Sequence, residues 1–282
     1  MDTDSGIAPA IDDRLERQFA LRRRHPEREE IYRDHQERSA ALRAAGDCRL
    51  DVRYGEGPRC LLDIFPAGEH APVLFFIHGG YWRALDKSYV SFIAEPYRDA
   101  GMTVVMPSYD LVPAVRLSGI VNQIRAAFAW TVSHLAPARA VVAGHSAGGQ
   151  LAAMLALDQA ARGEGPIVGL AGISGAFDLR PLLKTSINRD LMLSAQDAAD
   201  ASPRLRLRRL EAAARLVPLL GVVGADETDG FKQWTADLVQ DWRAQGGEAS
   251  YCEIAGSNHF TVLDHVADAQ GEVLRGIAAM LG

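Results

Sequence analysis

The chain has 282 residues, 48% hydrophobic and 23% charged, with a formal net charge of −6 at pH 7. That apolar content excludes a wholly disordered chain and suffices for one substantial core. The acidic balance leaves no whole-molecule electrostatic case for a nucleic-acid partner.

The first 45 or so residues are rich in Arg and Glu and poor in Gly. Leu15, Phe19, Ile31, Ala41 and Leu42 recur at helical spacing, which predicts one or two helices interrupted near Pro26. Arg22-Arg23-Arg24 is either an anion patch or, as the favoured reading, a solvated helix face answered by Glu27, Glu29 and Glu30. From Cys48 the texture changes. Arg49–Tyr54 and Cys60–Phe65 flank a Gly-Glu-Gly-Pro turn and read as a hairpin. Val73–Ile77, Thr103–Met106, Ala140–Ala143, Ile167–Ile173 and Val217–Val223 are continuous apolar runs, the pattern of strands buried on both faces. Helical stretches lie between them at Tyr89–Ala100, Gly119–Leu135 and Gly149–Arg162, so the alternation predicts a parallel α/β sheet with helices on both faces. Ala249–Ile254 is the last strand expected and Asp264–Leu281 the closing helix. Phe177–Arg215 is a long polar helical insertion, placed to cover a site at the carboxyl ends of the strands. Its Arg204, Arg206, Arg208 and Arg209 read as a solvated face in preference to an anion grip.

Three cysteines (Cys48, Cys60, Cys252) stand far apart, and neither a Cys/His ligand cluster nor a dinucleotide or Walker glycine fingerprint appears. No metal or organic cofactor is expected. The start, Met1 to Gly6, is acidic and unlike a secretory signal. The longest apolar runs, Ala71–Ile77 and Leu216–Ala225, fall far below the roughly 20 residues of a membrane span. The expectation is a cytoplasmic protein without a membrane partner, and no residue pattern sets an oligomeric state.

The chemistry is carried by Gly144-His145-Ser146-Ala147-Gly148, between a predicted strand and a predicted helix. This is the Gly-x-Ser-x-Gly nucleophile elbow in its required context. A turn that sharp leaves no room for flanking side chains and presents the Ser146 hydroxyl, while Ala147 N–H points at a developing oxyanion. A second set of donors follows the strand Val73–Ile77, at Gly79, Gly80 and Tyr81 in His78-Gly79-Gly80-Tyr81-Trp82. Tyr81 and Trp82 beside that loop are expected to line the substrate pocket, and His78 to be structural.

A serine nucleophile needs a base. His25 and His35 fall in the N-terminal helices, His70 in a turn, His134 in a helix and His265 in the closing helix. His259 follows the last strand in a loop, which gives the chain order Ser, acid, His. The acid follows the penultimate strand, where Asp226 and Glu227 both stand. Counting three positions from Gly224 favours Glu227 over Asp226.

With these features the chain resembles the α/β-hydrolase superfamily and, within it, the kynurenine formamidase (arylformamidase) group, related to hormone-sensitive-lipase-like esterases. His78–Trp82, Tyr109–Pro113, Phe177–Leu182, Gly224–Phe231 and His259-Phe260 carry the resemblance, which spans residues 48–282. It implies an eight-stranded, mostly parallel sheet as the catalytic domain, with residues 1–47 as a helical lid-side segment and the insertion at about 177–215. It also implies the carboxylate at Glu227, and a cofactor-free serine hydrolase that opens an aryl formamide such as N-formylkynurenine through an acyl-enzyme. The alternatives are a general carboxylesterase or amidase for short-acyl aryl esters, amides or carbamates, and a hydrolase-fold binding protein with a silent site.

Overall fold

The apolar runs become a single twisted sheet, because each has too much hydrophobic surface to leave either face in water. The structure is a computed structural model that describes residues 10–211 and 214–282. The acidic start of the chain and residues 212–213 of the insertion lie outside the described residues. The strands are β1 Arg49–Arg53, β2 Leu61–Phe65, β3 Val73–Ile77, β4 Thr103–Pro107, β5 Ala140–His145, β6 Ile167–Ile173, β7 Leu219–Gly224 and β8 Ala249–Ile254. Their order across the sheet is β1-β2-β4-β3-β5-β6-β7-β8. β2 runs antiparallel to both β1 and β4, and all other pairs are parallel.

Side chains alternate across each strand. Phe75 and Ile77 of β3 enter one core together with Val105, Val142 and Leu151, whereas Leu74 and Phe76 enter the other with Val104, Val141 and Ile173. The first core is closed by α4 (Leu117–Leu135), α5 (Ala147–Arg162) and α9 (Asp229–Ala244). The second is closed by α3 (Ala94–Asp99) and α11 (Glu272–Leu281). Burying each such Phe, Leu or Ile stabilises the fold by about 1.5–3 kcal/mol.

Two expected helices differ from the structure. Tyr89–Ala100 opens as 3-10 turns at Lys87–Tyr89 and Ser91–Ile93, and only α3 is α-helical. Pro96 lacks the N–H that would bond the Phe92 carbonyl, so the α ladder cannot run back through it. The closing helix is two helices, α10 (Val262–Val266) and α11. Between them Asp268 Oδ1 accepts the Gln270 N–H at 2.9 Å, and Gly271 caps α11 in an extended conformation.

The N-terminal segment forms α1 (Asp13–Phe19) and α2 (Arg28–Ala44), with a 3-10 turn at Leu21–Arg23 where Pro26 was expected to break the helix. α1 packs on α9 and on the insertion, and α2 packs on the 3-10 turns before α3. The buried Asp63 on β2 binds Arg43 of α2 and lies 3.2 Å from Lys87 Nζ, which anchors α2 to the domain.

The insertion holds a 3-10 turn at Arg180–Lys184 and the short helices α6 (Asn188–Leu191), α7 (Ala195–Asp200) and α8 (Pro203–Leu207). Its arginines have carboxylate partners. Arg204 meets Asp237 and Asp241 at 2.6 and 2.8 Å, Arg206 meets Asp158, Arg208 meets Asp241 at 2.9 Å, and Arg209 meets Asp200 at 3.2 Å. The cluster fastens the insertion to α5 and α9.

Candidate active site

β3 and β5 are neighbours in register, with Ile77 opposite Gly144, so the loop after β3 and the turn after β5 emerge side by side. Chain direction across the sheet also diverges here, β4 lying on one side of β3 and β5 on the other. Such a switch point opens a crevice at the carboxyl ends. Ser146 stands in it with φ 56° and ψ −118°, a strained conformation for a residue with a Cβ. The turn is held by Ser146 N–H on the Ile173 carbonyl at 2.8 Å. A Cβ on Gly144 would overlap the Gly148 carbonyl, and one on Gly148 would overlap the carbonyls of Ile77 and His78, so both positions need glycine.

His259 Nε2 lies 3.0 Å from Ser146 Oγ, and its Nδ1 lies 2.6 Å from Glu227 Oε2. All three residues are buried. The loop after β7 turns Glu227 back on its own strand, so that Oε1 accepts the Gly224 N–H at 2.9 Å. The same oxygen accepts the Ser174 hydroxyl. With Oε1 held twice, Oε2 is left for the imidazole. Asp226 is exposed and makes no hydrogen bond to His259, so of the two adjacent carboxylates it is Glu227 that meets the ring.

The loop after β3 takes three successive left-handed residues, Gly80 (φ 111°), Tyr81 (φ 50°) and Trp82 (φ 56°). A Cβ on Gly79 would come 3.1 Å from that of Ser146, which measures how closely this backbone passes the nucleophile. The N–H groups of Gly79, Gly80, Tyr81 and Ala147 donate to no backbone carbonyl among the described residues. His78 is fully buried, stacks on Tyr109 at 4.4 Å and lies 2.7 Å through Nδ1 from the Gly79 carbonyl.

Ser146 and His259 open into a cavity of about 650 Å³. Tyr81 is on its wall, and the insertion contributes Ser186 and Ile187. Most of the remaining wall comes from α1, α2 and the turn between them. Among the described residues one trio brings possible metal ligands together, Asp34, His35 and Asp264. Arg38 Nη1 bonds both of its carboxylates, at 3.1 and 2.6 Å, and so fills the place a cation would take.

The family described as the alpha/beta hydrolase fold matches residues 74–263. The chain belongs to this family. It is a hydrolytic enzyme. The kynurenine formamidase of Danio rerio is 26% identical over 239 residues, covering 83% of this chain and 82% of the relative. That of Salmo salar is 26% identical over 283 residues, covering 96% of each. A crystal structure from Silicibacter sp. TM1040, provisionally named a thioesterase, superposes with a TM-score of 0.78 at 31% identity over 89% of this chain and 93% of its own.

Three features of the hydrolase depart from the sequence reading or were absent from it. Trp82 was expected in the substrate pocket. It is fully buried instead, and its indole N–H donates to Gln150 Oε1 at 3.1 Å, because the left-handed turn aims it under α5. Ser174 was missed. Its signal is positional, since it directly follows β6 and therefore sits at the edge where β7 delivers Glu227. The arginine triplet is exposed, as the solvated reading has it, and in addition Arg22 and Arg23 line the cavity with Arg28, Arg33 and Arg83. Arg28 pairs with Glu29 at 2.7 Å and Arg83 pairs with Asp190. Arg22, Arg23 and Arg33 form no ion pair among the described residues. Against these five arginines stand the cavity's two glutamates, Glu16 and Glu29, so the mouth is locally cationic on a chain of net charge −6.

Proposed function

We propose that the enzyme is a serine hydrolase that opens an aryl formamide such as N-formylkynurenine through an acyl-enzyme. The observation that carries the reading is the run of hydrogen bonds from Ser146 Oγ through His259 to Glu227. Ser146 attacks the formyl carbonyl as His259 Nε2 takes the hydroxyl proton. Glu227 fixes the tautomer with hydrogen on Nδ1 and stabilises the imidazolium. The N–H groups of Gly79, Gly80, Tyr81 and Ala147 receive the oxyanion, each donor contributing on the order of 10²–10³ in rate. The imidazolium protonates the leaving aniline nitrogen. Water, deprotonated by the same His259, then attacks the formyl-serine and releases formate.

Two facts support a formamide of this kind. The relatives from Danio rerio and Salmo salar that span most of this chain are named kynurenine formamidase. The mouth of the cavity is cationic, and N-formylkynurenine, a zwitterionic amino acid, offers it a carboxylate. A second reading, a carboxylesterase for short-acyl aryl esters, is favoured by the provisional thioesterase name of the 31%-identical structure, since ester-type acyl groups use the same nucleophile and base.

The test is kcat/KM for N-formylkynurenine against p-nitrophenyl acetate, with Ser146→Ala as control. The formamide is expected to be the better substrate, and the variant to lose both activities by about 10⁴-fold or more. No turnover of the formamide with brisk ester cleavage would transfer the reading to the esterase. More than about a tenth of kcat surviving in Ser146→Ala would overturn the nucleophile.

A further inference from the structure

We infer that His145, the residue before the nucleophile, is a positioning residue for the base. The inference rests on the reading of Ser146 as nucleophile and His259 as base. His145 ends β5 and is buried beside the cavity, its ring centroid 4.7 Å from that of His259. Its Nε2 lies 2.8 Å from the main-chain carbonyl of His259. A carbonyl oxygen only accepts, so the proton is on Nε2 and the ring is a neutral donor. Burial, followed by the nearness of His259, holds protonation of His145 well below the usual histidine range. The ring therefore stays uncharged beside an imidazole that must itself become charged during turnover.

The geometry gives this bond a task that packing alone does not perform. The dipeptide His145-Ser146 and the single residue His259 are joined twice, in opposite senses. His145 donates to the main chain of His259, while the side chain of His259 reaches back 3.0 Å to Ser146 Oγ. One bond alone would let the loop pivot about Ser146. Two bonds fix both where the loop stands and how far Nε2 is from the nucleophile. No other donor reaches the His259 carbonyl among the described residues. The loop's own bonds run from Asn258 to Phe260, Thr261 and Val262, and none of them is made by the main chain of His259. Without His145 the buried carbonyl loses its partner and the loop is free to shift. A displacement of about 1 Å between nucleophile and base is enough to cost on the order of 100-fold in rate.

The experiment compares His145→Ala, His145→Asn and His145→Gln with the wild type. Glutamine can place an amide N–H near the position of the imidazole Nε2, whereas asparagine is too short. Each variant is assayed for kcat and KM on p-nitrophenyl acetate, for the rate of Ser146 labelling by a fluorophosphonate, and for melting temperature. Labelling reports proton abstraction from Ser146 without deacylation. The expected result is a fall in kcat and in labelling rate of about 10-fold to 100-fold for the Ala and Asn variants. KM should change by less than about 3-fold, and Gln should recover most of the loss. Should Ala not fold, the comparison of Asn with Gln carries the same test. Labelling within about 2-fold of wild type in Asn, or a Gln variant as slow as Asn, overturns the positioning role. Ser146→Ala and His259→Ala serve as controls. If either is labelled at the wild-type rate, the underlying assignment of nucleophile and base has failed. If both lose labelling while the His145 variants keep it, only the role of His145 has failed.

Discussion

Tyr81 donates its phenol hydroxyl to the main-chain carbonyl of Phe19 at 2.5 Å. The bond joins the strained loop after β3 to the end of α1, residues 62 positions apart in the chain. It has company. The carbonyl of Gln18 accepts the Thr228 hydroxyl at 2.8 Å, one residue beyond Glu227, and Gln18 Oε1 accepts the Gly230 N–H at 2.8 Å. The Phe19 ring stacks on Trp234 at 4.2 Å and meets the edge of Phe231, which also lies 4.4 Å from His259. Two residues of the N-terminal segment thus touch groups that flank the oxyanion loop, the acid and the base.

Removing that hydroxyl is expected to loosen the segment. In Tyr81→Phe the Phe19 carbonyl loses its donor, at a cost of about 1–3 kcal/mol if it stays buried. The side chains of Arg22, Arg23 and Arg24 are already exposed, and local opening should free the backbone around them to enter the trypsin active site. The check is the rate of limited cleavage in that turn, with and without substrate analogue. Cleavage at the wild-type rate would show that the bond does not hold the segment down.

The acid is tested by paired variants. Glu227→Gln leaves the shape of the loop but removes the charge facing His259 Nδ1, and kcat should fall by about 10⁴-fold, as when an orienting carboxylate is lost elsewhere. Asp226→Asn should stay within about 2-fold of wild type, because that side chain is exposed and the imidazole Nδ1 is taken by Glu227. The opposite pattern at neutral pH would move the acid to Asp226.

The part of this site that could be read from sequence is the part made locally. In the five consecutive residues of the elbow, Gly144 is demanded by the Gly148 carbonyl four positions on, so the sharp turn is written locally in Gly144-His145-Ser146-Ala147-Gly148, while Gly148 is demanded by the carbonyls of Ile77 and His78 at the end of β3. Glu227 was reached by counting from Gly224 because β7 ends at that glycine. What resisted reading depends on packing between distant segments. Trp82 lies one residue from a pocket-lining tyrosine, and only the left-handed turn decides that one ring faces the cavity and the other the core. Ser174 meets Glu227 across two neighbouring strands, so its place just after β6 gains meaning only once β6 and β7 are known to be adjacent. The direction of Arg22 and Arg23 was set by how α1 docks on α9. The break before α11 was hidden because apolar spacing continues through Val266 and Val273 while the backbone between them turns.

Acid sensitivity follows from His78. Burial depresses its protonation in the folded state, with the Gly79 carbonyl a smaller opposing influence. As pH falls through the ordinary histidine range the unfolded chain takes up this proton first, so unfolding absorbs protons and stability drops. The contribution is fully present above the unfolded value and is lost as pH falls towards the lowered folded value. His78→Asn keeps a short amide donor towards Gly79 but does not titrate. Melting curves from pH 7 to pH 5 are expected to fall more steeply for the wild type than for the variant. Parallel curves would mean that His78 is not held neutral.

The arginines at the cavity mouth make the last expectation. Arg22 and Arg23 are exposed, so each contact with an anion is screened by water and contributes no more than about 1 kcal/mol, or about 5-fold in KM. Their effect should be on binding, because they stand on the wall formed by the N-terminal segment and not beside the Ser146 hydroxyl. Removing both in Arg22→Gln/Arg23→Gln should therefore raise KM for N-formylkynurenine by about 5-fold to 25-fold with little change in kcat. The same double variant should leave KM for neutral p-nitrophenyl acetate within about 2-fold. Salt gives an independent reading of the same charges. Raising ionic strength from about 0.01 to 0.15 M shortens the screening length from about 30 to 8 Å, so contact between the substrate's carboxylate and the arginines should weaken, the wild-type KM for zwitterionic N-formylkynurenine should rise and that of the double variant should respond less. Equal changes on both substrates would mark the two arginines as part of the segment's structure. A KM for N-formylkynurenine unmoved by either the substitutions or the salt would leave the cationic mouth without a role in recognition, because a carboxylate bound there has to feel both.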